Sequence, residues 1–207
     1  MSRPLVVTDC DEVLLHMVRH FGEWLGESHG IELQLAGNPF EHMRHADGTP
    51  MEDAEKWQYL DRFFDSEMHR QTEIEGAVAS VAELQREADV VVLTNLADRY
   101  QPARAEQLLS HGIEARVFTN QGPKGQALRR IVAEYVPSRA VFIDDLAHHH
   151  ASAAETLPEV YRLHFCGEPG VAGEVPCALK AGHAHARIDA WSEALPWLLE
   201  TLHGAKV

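Results

Sequence analysis

Asp9 and Asp11 stand two residues apart at the end of the run Leu5-Val6-Val7-Thr8, and no other residues of the chain are better suited to chemistry. The run reads as a buried parallel strand, and a buried strand does not tolerate a carboxylate pair at its end unless something positive sits beside it. In an open α/β sheet the crevice beyond the carboxyl ends of the strands is where ligands bind, so the pair is expected to project into a site. The natural positive partner is a divalent cation. A hard cation such as Mg²⁺ takes oxygen ligands and keeps waters and substrate phosphates in its shell, which suits paired carboxylates better than a zinc site would.

Three later segments offer complementary groups, in order along the chain. Ala88 to Leu93 is a second apolar strand, ending at Thr94-Asn95, whose hydroxyl, amide and backbone N–H groups can hold phosphoryl oxygens. Gln121-Gly122-Pro123-Lys124-Gly125 opens a helical run from Ala127 to Tyr135 and places one lysine at the mouth of the sheet. Ala140-Val141-Phe142-Ile143 is a third strand, ending in Asp144-Asp145. Each alone has a plainer reading: exposed turn carboxylates, an N-cap at Thr94-Asn95, a solvated Lys124, a helix cap at Asp144-Asp145.

Together the four resemble the motifs of the haloacid dehalogenase superfamily. Its first motif is an apolar strand followed by Asp-x-Asp-x-(Thr or Val), here Asp9-Cys10-Asp11-Glu12-Val13. Its second ends a strand in Thr or Ser, here Thr94; its third is a lysine, here Lys124; its fourth is a strand ending in acids, here Asp144 and Asp145. The resemblance spans Pro4 to His164. It implies an α/β fold with a Rossmann-like three-layer parallel-sheet core and a small α-helical cap. It also implies a phosphohydrolase of small phosphomonoesters, because superfamily dehalogenases lack the second aspartate that serves phosphatases as proton donor.

On that resemblance Asp9 is the nucleophile that forms an aspartyl-phosphate, and Asp11 protonates the leaving oxygen and later activates water. Mg²⁺ is shared by Asp9, the Asp11 backbone carbonyl and Asp145, with Asp144 oriented nearby, while Thr94, Asn95 and Lys124 hold the phosphoryl group. A phosphotransferase or phosphomutase using the same intermediate, and a non-catalytic binding protein on the same fold, remain alternatives. One position departs from the pattern. The superfamily commonly has Gly after the second Asp, where the chain turns sharply, and this chain has Glu12.

Composition sets outer bounds. At 207 residues the chain is long enough for one α/β core and a modest insertion. A net charge of -14 with no basic stripe argues against a nucleic-acid polymer as partner, whereas a small phosphorylated metabolite can still be captured by a cation, a lysine and a helix start. No membrane span is visible, and Met1-Ser2-Arg3-Pro4 runs directly into the first strand, so a cytoplasmic location is expected. Three cysteines, Cys10, Cys166 and Cys177, form no CxxC spacing and are expected to be reduced thiols. Oligomeric state and the identity of the phosphomonoester are not legible; nucleotides and sugar phosphates are the first substrates to test.

The elements that must position these groups follow from periodicity. Residues 1–14 and 75–207 read as the α/β core, and residues 15–74 as an inserted helical cap. In the cap, Leu14 to Leu25 and Met51 to Met68 are helical, joined by a turn-rich stretch, Gly30 to Pro50, that includes Gly37 and Asn38. In the core, helices from Gly76 to Glu87 and Asp98 to His111 alternate with strands at Ala115 to Thr119 and Glu159 to His164. A loop from Cys166 to Lys180 and a closing helix from Ala190 to His203 follow. Trp57, Tyr59, Phe63 and Phe64 read first as cap core, with an aromatic lining for an organic substrate as the alternative. His148-His149-His150 is expected near the mouth of the site, as a partly exposed first helical turn or as substrate contacts. Cys166, Cys177, His183 and His185 match no zinc spacing, and His183-x-His185 fits alternation on a strand.

Overall fold

The apolar runs become one sheet. The computed structural model describes residues 2–35 and 39–204, which leaves Gly37 and Asn38 outside the described residues. Six strands, β1 (Leu5–Thr8), β2 (Asp89–Thr94), β3 (Arg116–Thr119), β4 (Ala140–Asp144), β5 (Tyr161–His164) and β6 (Ala186–Arg187), lie in the order β3-β2-β1-β4-β5-β6. All neighbours are parallel. Strand order reverses direction at β1, so the switch point where ligands bind in such sheets falls between the ends of β1 and β4. Asp9 and Asp145 are the residues immediately beyond those two ends.

Both sheet faces are covered, as a parallel sheet requires. Val6, Val90, Val92, Val141 and Ile143 point to one side and pack with α3 (Ala77–Glu87), α4 (Gln101–Ser110) and α8 (Trp191–Leu202). Leu5, Val7, Val91, Leu93 and Phe142 point to the other, against α5 (Gly125–Tyr135) and α6 (Ala147–Thr156). Fully burying an aliphatic side chain contributes about 1.5–3 kcal/mol, so these central strands are where most of the stabilisation accumulates.

The helices α1 (Val18–His29) and α2 (Asp53–Ser66), with a single 3₁₀ turn at Met68–Arg70, form a third cluster around Phe21, Trp24, Phe63 and Phe64. This cluster meets the sheet through Leu96, Tyr100, Cys166 and Val171. The chain leaves and re-enters the core side by side: His16 N–H donates to Thr72 O at 2.9 Å and Ile74 N–H to Leu14 O at 2.9 Å.

Three expectations are corrected. The first helix begins at Val18 instead of Leu14, because the N–H groups of Val13, Leu14 and Leu15 all turn back onto Cys10 O. The stretch after Cys166 is not all loop: α7 (Pro169–Ala172) is a single turn whose N-cap, Glu168, accepts from Gly170 N–H. His183 and His185 do not alternate on a strand; they lie in the turn before the two-residue β6. No described helix is long and apolar enough to cross a membrane.

Candidate active site

Lys124 forms the floor of the site. It is fully buried at the start of α5, and its Nζ donates to Asp144 Oδ2 and lies 2.7 Å from Asp9 Oδ2, with the same distance to Asp144. Two features of the sequence put it there. Gly122, with φ +80, turns the loop, and Gly125 lets α5 approach α6 so closely that a Cβ would strike the Ser152 backbone oxygen. The solvated-lysine reading is therefore wrong: a buried ammonium with two carboxylate partners is held charged. Burial works against that charge, but Asp144 and Asp9 outweigh it and raise the Lys124 pKa.

The acids differ in what they have left to offer. Asp144 is fully committed, its Oδ2 to Lys124 and its Oδ1 to Leu146 N–H at 2.9 Å. Burial pushes Asp144 up, but Lys124 and then His149 hold it below the usual carboxylate range. Asp9 accepts from Cys10 N–H at 2.7 Å through Oδ1. Burial raises it to about 7, with Lys124 opposing and Asp144 and Asp11 reinforcing. Asp145 is raised well above the carboxylate range by burial and by the neighbouring charges of Asp144 and Asp9. Ligand oxygens of Asp9, Asp144 and Asp145 lie within 4.8 Å of one another. The ammonium pairs with Asp9 and Asp144 but not with Asp145, so three buried carboxylates have one cationic partner between them and the donor set fits a hard divalent cation.

Asp11 does not join that cluster. Its carboxylate turns to a buried Arg104, whose Nη2 donates to Oδ1 at 2.9 Å and Oδ2 at 3.1 Å, and to Gln71 Nε2 at 2.8 Å. It still lines the same cavity as Asp9 and Asp145. Thr94 lines it too, with its hydroxyl-bearing side chain buried at the end of β2. Asn95 is exposed and occupied: Nδ2 donates to Gly122 O at 3.0 Å and Oδ1 accepts from Asn120 Nδ2 at 2.9 Å. No helix starts there, so the N-cap reading of Thr94-Asn95 fails; Asn95 clamps the lysine loop.

The histidine triplet divides. His148 is exposed on the cavity wall and His149 is buried there, its pKa lowered to about 4 mainly by burial. His150 faces inward, with Nε2 2.9 Å from Asp144 O. The expectation of a partly exposed turn therefore holds for His148 alone. Cys166, Cys177, His183 and His185 appear in neither of the metal-type groups found among the described residues.

Arg104, Gln71 and the second such group, Glu12, His16 and Glu168, were not among the sequence candidates. Glu12 has φ +58, the left-handed conformation that glycine adopts without strain. Its Oε1 accepts from Met17 N–H at 2.9 Å and Val18 N–H at 2.6 Å, so it ties the turn after β1 to the start of α1. Burial pushes its carboxyl up to about 8. His16 Nδ1 and Glu168 Oε2 approach to 2.9 Å without hydrogen-bond alignment, and Arg19 reaches the same carboxylate at 3.0 Å.

No protein-family model and no curated protein matches the chain. Solved structures do. A haloacid dehalogenase-like hydrolase from Streptococcus pneumoniae superposes with a TM-score of 0.68 at 13% identity, over 94% of this chain and 97% of that one. A haloacid dehalogenase family hydrolase from Deinococcus radiodurans R1, with bound phosphate and sodium, gives 0.68 at 16% identity over 96% of each chain. A putative beta-phosphoglucomutase from Thermotoga maritima gives 0.63 at 14% identity, over 95% and 99%. This chain therefore has the three-layer α/β fold of the haloacid dehalogenase superfamily, as its four motifs imply.

Proposed function

We propose that this protein is a Mg²⁺-dependent phosphohydrolase that cleaves a small phosphomonoester through an aspartyl-phosphate on Asp9. The observation that carries the reading is the Lys124 bridge: a buried ammonium 2.7 Å from both Asp9 and Asp144. It fixes the Asp9 carboxylate at the mouth of the switch point and supplies positive charge where a phosphoryl group would sit. Asp9 and Asp145, with the Asp11 backbone carbonyl, are the groups that would hold Mg²⁺, and Asp144 stays with Lys124. When bound, the cation supplies neutralisation of phosphoryl oxygens.

The remaining steps belong to the chain. Asp9 attacks phosphorus, forming the acyl phosphate as the bond to the leaving oxygen breaks; Asp11 delivers a proton to that oxygen and later takes one from the attacking water. Arg104 and Gln71 hold Asp11 in register for both transfers. Thr94 and the N–H groups beyond β2 bind phosphoryl oxygens. Residues 15–74 act as a cap over residues 1–14 and 75–207 and exclude water during the reaction. The test is hydrolysis of p-nitrophenyl phosphate: turnover is expected with Mg²⁺, lost on chelation and lost in Asp9→Asn. Full activity after exhaustive chelation or in Asp9→Asn would overturn the reading.

A further inference from the structure

The cavity above Asp9 has two ends of opposite character. Its volume is about 390 Å³. Asp9, Asp11, Glu12 and Asp145 sit at the sheet end. Apart from the exposed Glu174, the rest of the wall is mostly apolar: Phe40, Trp57, Leu60 and Phe64 come from the helical block, and Val171 and Val175 from the segment after β5. Among the described lining residues no lysine or arginine is present, and those with formal charge are Asp9, Asp11, Glu12, Asp145 and Glu174. The nearby cations, Lys124 and Arg104, are fully buried and already paired with carboxylates.

Trp57 adds an independent observation. It is 65% exposed, an unusual state for a tryptophan, and it stands on this cavity's rim. Its ring lies nearly parallel to that of Phe40, with centroids 6.2 Å apart and planes inclined by 17°. Phe40 is itself packed on Phe21, so the exposed face of Trp57 is the apolar surface that a ligand can cover.

These facts select a leaving group. A second phosphate or a carboxylate on the substrate would be desolvated beside acids, with no free cation to receive it. A polyhydroxylated sugar would place hydroxyls against Leu60, Phe64, Val171 and Val175, which offer no partners. An aryl or alkyl group meets neither penalty. We propose that the substrate is a phosphomonoester of an apolar aryl or alkyl alcohol that carries no second anionic charge. This rests on the phosphohydrolase reading, and it moves the first substrates to test away from nucleotides and sugar phosphates.

The experiment compares kcat/KM for benzyl phosphate, glycerol 3-phosphate, glucose 6-phosphate and 3-phosphoglycerate, four esters of primary alcohols, with p-nitrophenyl phosphate as the activity control. Benzyl phosphate is expected to exceed glycerol 3-phosphate by about tenfold or more, the range that apolar pocket contacts supply, and 3-phosphoglycerate to be the poorest. Trp57→Ala, at an exposed position, should shrink the benzyl-to-glycerol ratio mainly through KM. A preference for 3-phosphoglycerate or glucose 6-phosphate, or a ratio untouched by Trp57→Ala, would overturn the substrate class while leaving the phosphohydrolase reading in place. Absence of turnover on all five compounds with Mg²⁺ would overturn both.

Discussion

Arg104 donates through Nη2 to both oxygens of Asp11, at 2.9 and 3.1 Å, from a guanidinium with no exposed surface. The same side chain reaches Gln71 Oε1 and Gln107 Oε1 through Nη1 at 3.1 and 3.0 Å, so one arginine on α4 joins the core to the end of the helical block. Removing one partner of a buried pair leaves the other charge uncompensated. Arg104→Met should therefore cost about 3 kcal/mol of stability and lower kcat far more than it raises KM, with Arg104→Lys recovering part of both. Chemical denaturation and steady-state kinetics read the two effects; a stable, fully active Arg104→Met would show that Asp11 needs no such support.

Asp11 itself is tested by the leaving group. General-acid assistance contributes about 10² to 10⁴ in rate, and only where the departing oxygen needs a proton. Asp11→Asn should lose much more on an alkyl phosphate than on p-nitrophenyl phosphate under single-turnover conditions. Equal losses would make Asp11 a group that orients the loop.

Glu12 combines a costly backbone conformation with a useful side chain. Both Glu12→Ala and Glu12→Gly forfeit the bonds from Met17 and Val18 N–H, but only glycine relieves the left-handed φ of +58. Glu12→Gly should thus be more stable than Glu12→Ala by about 1 kcal/mol. Thermal unfolding of the pair checks the sign, and an alanine variant equal to or above the glycine one would contradict it.

His164 is expected to make the fold sensitive to acid. It is fully buried, its Nδ1 accepts from Ala178 N–H at 2.9 Å, and its Nε2 lies 2.7 Å from Asp145 O. Burial, then Arg187 and His150, lower its pKa from 6.5 to about 4. The unfolded chain therefore binds a proton in that window that the folded chain refuses, and this contribution is lost as pH falls from 6.5 towards 4, at about 1.4 kcal/mol per pH unit. Asp9 and Glu12, raised to about 7 and 8, act in the opposite sense, so the comparison is made against His164→Gln in the presence of chelator. The variant should show a smaller loss of stability over that window; parallel profiles would contradict the assignment.

Much of the architecture was legible because each core strand is an apolar run ending in a polar residue, a pattern only a doubly covered parallel sheet accommodates. The positions of Asp9 and Asp144 followed from the same strand ends, and that of Lys124 from the Gly-Pro loop that opens α5. Arg104 left a faint signal, a charged residue at a core-facing spacing with Gln107 and Leu108 on a helix, which reads as error until its partner is known. Gln71 gave none, since its role depends on where the chain re-enters the core. The helix was expected to begin at Leu14, four residues early, because the apolar periodicity runs on through Leu14 and Leu15, whereas the N–H groups of Val13, Leu14 and Leu15 converge on the Cys10 carbonyl.

The central claim is that Asp9 carries the phosphoryl group. Borohydride reduces an acyl phosphate to the alcohol, so enzyme quenched during turnover with Mg²⁺ and benzyl phosphate, reduced and digested, should yield homoserine at position 9 by peptide mass spectrometry. The signal should be absent without substrate. Turnover at full rate with an unmodified Asp9, or with reduction at another carboxylate, would contradict the account.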